Sequence, residues 1–207
     1  MALGSLVSIA ASTFNRVMVV ELSLLQIIPG LLLALHYFIQ ISRPNWGFLS
    51  DKGGNRTFWI IIGVIILCLG SVLACIGILL IPENYLFGLT ISIFAYTLIG
   101  IGVGASGTSL LAFLATRTDN SKKAAAATIT WIMMIFGAAF TAIFVGKIID
   151  PYSIEKLLKI VTIISLFWII TSFITLYKLE STHKQKVLDS FEPVSITFYQ
   201  GLKQVLL

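Results

Sequence analysis

The chain has 207 residues, of which 57% are hydrophobic and only 11% charged, with a formal net charge of +5. Soluble domains carry about 25% charge, so a chain this apolar needs lipid as part of its solvent. The basic excess is not a nucleic-acid signal, because the Lys and Arg residues cluster between apolar stretches, where they report membrane topology.

A spanning helix needs about 20 mostly apolar residues. Six such segments are expected, at residues 3–22, 25–43, 57–81, 86–115, 124–148 and 157–177. The break after the first is short and lacks a strong turn residue, so the first two should form a tight hairpin. Pro29 falls in the first turns of the second segment, where neighbouring helices can absorb its missing hydrogen bond. Pro82-Glu83-Asn84 reads as a turn, and Asp150-Pro151-Tyr152-Ser153 separates the last two segments. Cys68 and Cys75 share one helix face about 10 Å apart, too far for a disulfide, and read as small packing residues. Residues 1–178 form the expected six-helix bundle. Residues 179–207 read as a cytoplasmic connector and the start of an incomplete following helix, as in one half of a longer protein or a truncated reading frame.

The charges orient the segments. Arg43, Lys52 and Arg56 follow the second, Arg117, Lys122 and Lys123 follow the fourth, and Lys178, Lys184, Lys186 and Lys203 follow the sixth. Basic loops stay cytoplasmic. All three are cytoplasmic only when both termini are. The fold class expected is an all-α, multi-pass membrane protein.

Arg16 is the sharpest local oddity, since a cation inside a span costs at least ~2.5–3.5 kcal/mol at the centre. It should face the bundle interior or snorkel to the interface. Glu21 is about 140° away around the helix and poorly placed to pair with it, which leaves Asn15, Gln26 or a residue of another span. His36, near the middle of the second segment, is chemically able to ligate the magnesium of a chlorophyll, but an interhelical hydrogen bond is the plainer role. Gln40, one turn on, is a similar packing group. Gly102, Gly104 and Gly107 spell G-x-G-x-x-G inside an apolar span, with no strand before them, so a dinucleotide site is rejected. Gly100 and Gly104 form a G-x-x-x-G pair for close helix approach, and Gly107 and Gly137 read the same way. Trp46 and Trp59 are expected as interfacial belt residues, and Trp131 and Trp168 as lipid or helix contacts. No catalytic constellation or metal-ligand cluster is evident, so the chain is not read as an enzyme.

Between the second and third segments, residues 47–56 read G-x-L-x-D-x-x-G-x-R, with Gly47, Asp51, Gly54 and Arg56 at the named positions. The spacing resembles the loop between helices 2 and 3 of major facilitator superfamily transporters. That resemblance implies a fold made of two six-helix halves, of which this would be the N-terminal one. It also implies that Asp51 and Arg56 latch the halves on the cytoplasmic side. The plainer reading of the same residues is a helix cap and a positive-inside determinant.

Five further stretches point to a narrower branch. They are Asn15-Arg16-Val17-Met18-Val19-Val20-Glu21-Leu22; Leu35-His36-Tyr37 with Arg43-Pro44 and Trp46-Gly47; residues 102–111; residues 127–137; and Asp150-Pro151-Tyr152-Ser153. Together they resemble the PucC family over about residues 4 to 160. The resemblance implies (bacterio)chlorophyll delivery and assembly of light-harvesting or photosystem complexes. It implies chlorophyll or bacteriochlorophyll as cofactor and a photosynthetic (thylakoid or intracytoplasmic) or cytoplasmic membrane as location. Partners would be the bilayer, antenna or photosystem proteins, and a second six-helix half or a second copy. Asn15, Arg16, Glu21, His36 and Gln40 are the candidate cavity or pigment-contacting residues. The alternatives are a secondary transporter of a small solute and an inactive half-transporter. Proton coupling is weakened because Glu21 is the one acid near a span.

Overall fold

The computed structural model describes residues 1–52 and 55–176, and every element among them is helical. The chain runs α1 (Ala2–Glu21), α2 (Ile27–Ile39), α3 (Arg43–Lys52), α4 (Arg56–Leu80), α5 (Tyr85–Arg117), α6 (Lys123–Ile148) and α7 (Ile154–Leu176). Five of these, α1, α4, α5, α6 and α7, are long and apolar enough to cross a membrane. Their positions match five of the six expected segments to within a few residues. The expected domain at residues 179–207 lies outside the described residues, as does Gly54.

The second expected segment, residues 25–43, folds differently. Its helix α2 has 13 residues, about 20 Å of rise, against a hydrocarbon core of about 30 Å. A 3-10 turn at Gln40–Ser42 joins it to the more polar α3. The cause is local. An α-helix would have residue 44 donate to the Gln40 carbonyl, but Pro44 has no N–H. The carbonyl accepts instead from the Arg43 amide, one residue earlier. Pro29 itself sits at the third position of α2, where its missing donor would have been unpaired anyway.

The connection from α1 to α2 closes through Ser23, at φ 52°. This left-handed turn residue lets the amides of Leu22 and Leu24 reach back to the carbonyls of Val17 and Met18. Two other turns use capping chemistry that their sequences announce. Asn84 caps α5 by accepting from the Phe87 amide at 3.2 Å, and Ser153 caps α7 by accepting from the Lys156 amide at 3.2 Å.

The α4–α5 hairpin is the centre of the bundle, and small residues bring it together. Gly63, Gly70 and Gly77 recur every seven residues and keep to one face of α4. A Cβ at Gly63 would lie 2.5 Å from the Ser106 amide nitrogen, one at Gly70 2.9 Å from the Ile99 amide, and one at Gly77 2.6 Å from the Ser92 hydroxyl. Gly88 and Gly102 answer from α5, each within 2.8 Å of α4 backbone. Without a hydrophobic force between helices in lipid, such close backbone contact is what holds them. Helix α7 covers α4, while α2 and α3 lie against α5. Helix α1 is buried along Leu6, Ile9, Phe14, Val17 and Met18. The hydroxyl of Tyr96, on α5, donates to its Ala10 carbonyl at 3.0 Å. Helix α6 touches the bundle through one narrow face, where Thr141 donates to the Ser5 hydroxyl at 2.7 Å. Cys68 and Cys75 are free and buried.

Candidate functional site: two ion pairs and a buried relay

Arg16 lies in a short α-helical stretch between two π-helical stretches of α1, Ile9–Thr13 and Val17–Glu21. Such stretches concentrate at functional sites because they offset the helix register. The guanidinium of Arg16 donates to the Asp150 carboxylate at 2.7 Å. Asp150 sits just past the end of α6, so the pair ties α1 to the α6–α7 turn. Its partner is thus a residue of another segment, rather than Glu21 or Asn15. Tyr152, in the same turn, is packed against the core with its hydroxyl buried and unpartnered. Burial pushes that hydroxyl above its usual range, and Cys75 and Glu21 nearby add to the shift. Sequence reasoning missed Asp150 as a site residue. The signal available was the need of an intraspan arginine for an acid at the same end of the bundle.

The motif loop is held at the other end. Arg56 donates to the Asp51 carboxylate at 2.7 Å from one terminal nitrogen and at 3.1 Å from Nε. Its other terminal nitrogen donates to the Ala112 carbonyl at 2.7 Å and to the Thr116 hydroxyl. A cation is well placed there, because the C-terminal turns of α5 carry the negative end of the helix dipole. Gly47 packs close to Thr108, where an added Cβ would be 3.2 Å from its methyl group. Trp46 and Trp59 meet at 5.9 Å between ring centroids, and the Trp46 indole donates to the Ser42 hydroxyl at 3.0 Å.

A chain of hydrogen bonds runs from exposed Arg43 on α3 to buried His36 on α2. Arg43 donates to Gln40 Oε1, and the Gln40 amide lies 2.9 Å from His36 Nε2. With its oxygen occupied, Gln40 donates to Nε2, which places the imidazole proton on Nδ1. His36 is 1% exposed and Nδ1 has no partner. Neither ring nitrogen therefore offers a free lone pair, and no open face admits a macrocycle. The arrangement does not fit His36 as a chlorophyll ligand.

The candidate glycines distribute over four neighbours, α1 to α4. Gly100 faces the His36 carbonyl, where a Cβ would lie at 2.8 Å, and Gly104 faces Trp46 at 3.4 Å. Gly102 faces Leu67, while Gly107 faces Leu3 at 3.4 Å. Gly137 faces the Met1 carbonyl, with 2.7 Å left for a Cβ. The G-x-G-x-x-G run is thus a helix turning three faces to three partners. The α4 stripe of Gly63, Gly70 and Gly77 escaped the sequence reading, although its seven-residue spacing was visible. Among the described residues no group of three or more His, Cys, Asp or Glu converges.

The family model described as PUCC protein matches residues 13–204. The chain belongs to this family. It is 47% identical over 205 residues to the bacteriochlorophyll synthase 44.5 kDa chain of Rhodobacter capsulatus, a match covering 99% of this chain and 47% of the relative. It is 24% identical over 198 residues to protein PucC of Cereibacter sphaeroides, and 23% identical over 195 residues to protein PucC of Rhodobacter capsulatus. Each of those matches covers 88% of this chain and 42% of the relative. The chain spans about half the length of these curated relatives. No solved structure matches it. Family and helices together make this PUCC-family chain an integral membrane protein.

Proposed function

We propose that this chain is the N-terminal helical half of a PucC-type membrane factor that delivers (bacterio)chlorophyll and assembles light-harvesting or photosystem complexes. The observation that carries the reading is the 47% identity, over nearly the whole chain, to a relative named for bacteriochlorophyll synthase. The proposed role is non-catalytic. In this reading Arg16, Asp51, Arg56 and Gln40 serve ion pairs and helix contacts. The proposal includes six membrane crossings in the manner of the major facilitator superfamily, with α2 and the start of α3 as the short crossing and both termini cytoplasmic. Its support is the concentration of Arg56, Arg117, Lys122 and Lys123 at one end of the bundle. In this reading Gly47, Asp51, Gly54 and Arg56 form a cytoplasmic latch.

The Arg16–Asp150 pair lies at the α6–α7 turn and the Asp51–Arg56 pair against the C-terminal turns of α5, at opposite ends of the bundle. That separation also favours a second reading, alternating access for a small solute, in which each pair closes one side. Purification from a photosynthetic membrane in mild detergent separates the two. Pigment absorption together with co-purified antenna or photosystem subunits is the expected result. A colourless preparation without those partners would overturn the pigment role and leave solute uptake as the reading to test.

A further inference from the structure

Helix α5 has 33 residues and rises about 50 Å, well beyond a 30 Å hydrocarbon core, so its C-terminal turns reach headgroup level. At that level lies a cavity of about 200 Å3 between α5 and α6, lined by Leu111, Leu114, Ala115, Ala127 and Lys123. Four of the five lining residues are apolar, and the fifth is a lysine on the first turn of α6. The turn between α5 and α6 is held by the Thr118 amide on the Leu114 carbonyl at 3.1 Å and the Lys122 amide on the Asp119 carbonyl at 2.8 Å. Residues 117–123 carry Arg117, Lys122 and Lys123 against Asp119, a net charge of +2 (three cations less one anion). The Arg117 guanidinium is occupied, stacked 5.7 Å over the Phe113 ring.

We infer that this elbow binds an anionic phospholipid, with the phosphate at Lys123 and the first part of an acyl chain over Leu111, Leu114, Ala115 and Ala127. Size excludes the more obvious guest. Pockets for drug-sized ligands run about 300–1,000 Å3, so this one is too small for a tetrapyrrole ring but suited to a chain end. Charge selects the headgroup, because a basic pocket between spanning helices at the interface recognises anionic lipid. The inference does not depend on the pigment reading.

The test is native mass spectrometry of the full chain released from detergent with added phosphatidylglycerol or phosphatidylcholine of the same acyl chains. Phosphatidylglycerol is expected to be retained preferentially. Removing one interfacial cation in Lys123→Ala should weaken its retention about fivefold. Ala127→Phe, which fills the cavity, should weaken retention of the lipid while helix content by circular dichroism stays at the wild-type level. Lys159→Ala, removing a cation on α7 away from the cavity, should leave retention unchanged. Equal retention of the two lipids would overturn the inference. So would an equal loss in Lys159→Ala, or full displacement by inorganic phosphate, which would show that the acyl chain is not bound.

Discussion

Arg16 of α1 and Asp150 beyond α6 meet at 2.7 Å across 134 residues of sequence. The pair is partly open, with the two side chains 42% and 58% exposed, so it resembles a surface salt bridge more than a buried one. An arginine that must sit near a membrane span thus finds an acid at the bundle end instead of a counter-ion on its own helix.

A double-mutant cycle on this pair should show coupling. Arg16→Ala and Asp150→Asn should each lower the melting temperature in detergent, and the coupling should be small, as for exposed pairs. The charge swap Arg16→Asp with Asp150→Arg should recover part of the loss. Strictly additive single effects would show that the two side chains do not interact in the folded protein.

The second pair predicts an order of effects. Arg56 also holds the Ala112 carbonyl and Thr116, so Asp51→Asn should destabilise less than Arg56→Ala. Lys cannot reproduce the planar fork, and Arg56→Lys should fall close to Arg56→Ala, at about 1–3 kcal/mol. Thermal melts of the three variants check this. A wild-type melt for Arg56→Lys would mean that only the charge matters.

His36→Ala separates packing from ligation. Removing a buried ring should cost about 2–4 kcal/mol through the cavity left behind. Any pigment that co-purifies should keep its absorption per folded protein, because neither imidazole nitrogen is open. Loss of pigment from a variant that remains folded would contradict the relay.

The glycines should divide by what surrounds them. Gly70→Val drives a side chain into α5 backbone and should prevent stable assembly of the α4–α5 hairpin, since overpacking typically costs 1–3 kcal/mol and backbone yields less than side chains. Gly30→Ala and Gly146→Ala, where an added Cβ meets nothing within 4 Å, should be neutral or stabilising by up to about 1 kcal/mol. Folded yield by size-exclusion chromatography distinguishes the two groups.

Much of the helix plan was legible locally. Hydropathy placed α1, α4, α5, α6 and α7 to within a few residues, and Asn84 and Ser153 marked their turns. The interruption after α2 was also written locally, in Pro44, but the apolar run of residues 25–43 outweighed it in the reading. Ser23 was harder to see, because its left-handed turn is selected by the packing of α1 and α2 on their neighbours and not by serine's own preference.

The candidate site was less legible. His36 stood out as an intraspan imidazole, yet its role depends on Gln40 turning its amide inward while Arg43 takes the oxygen. Arg16 announced that it needed a partner without naming one. Composition and hydropathy sum over neighbouring residues, so the sequence by itself determined that the chain lives in a membrane and where its long helices run. Pairing depends on which faces meet, and side chains more than a hundred residues apart carry no local record of that. Only the tertiary structure decided that Arg16 meets Asp150, that Arg56 reaches the end of α5, and that Gly63, Gly70 and Gly77 form one seam.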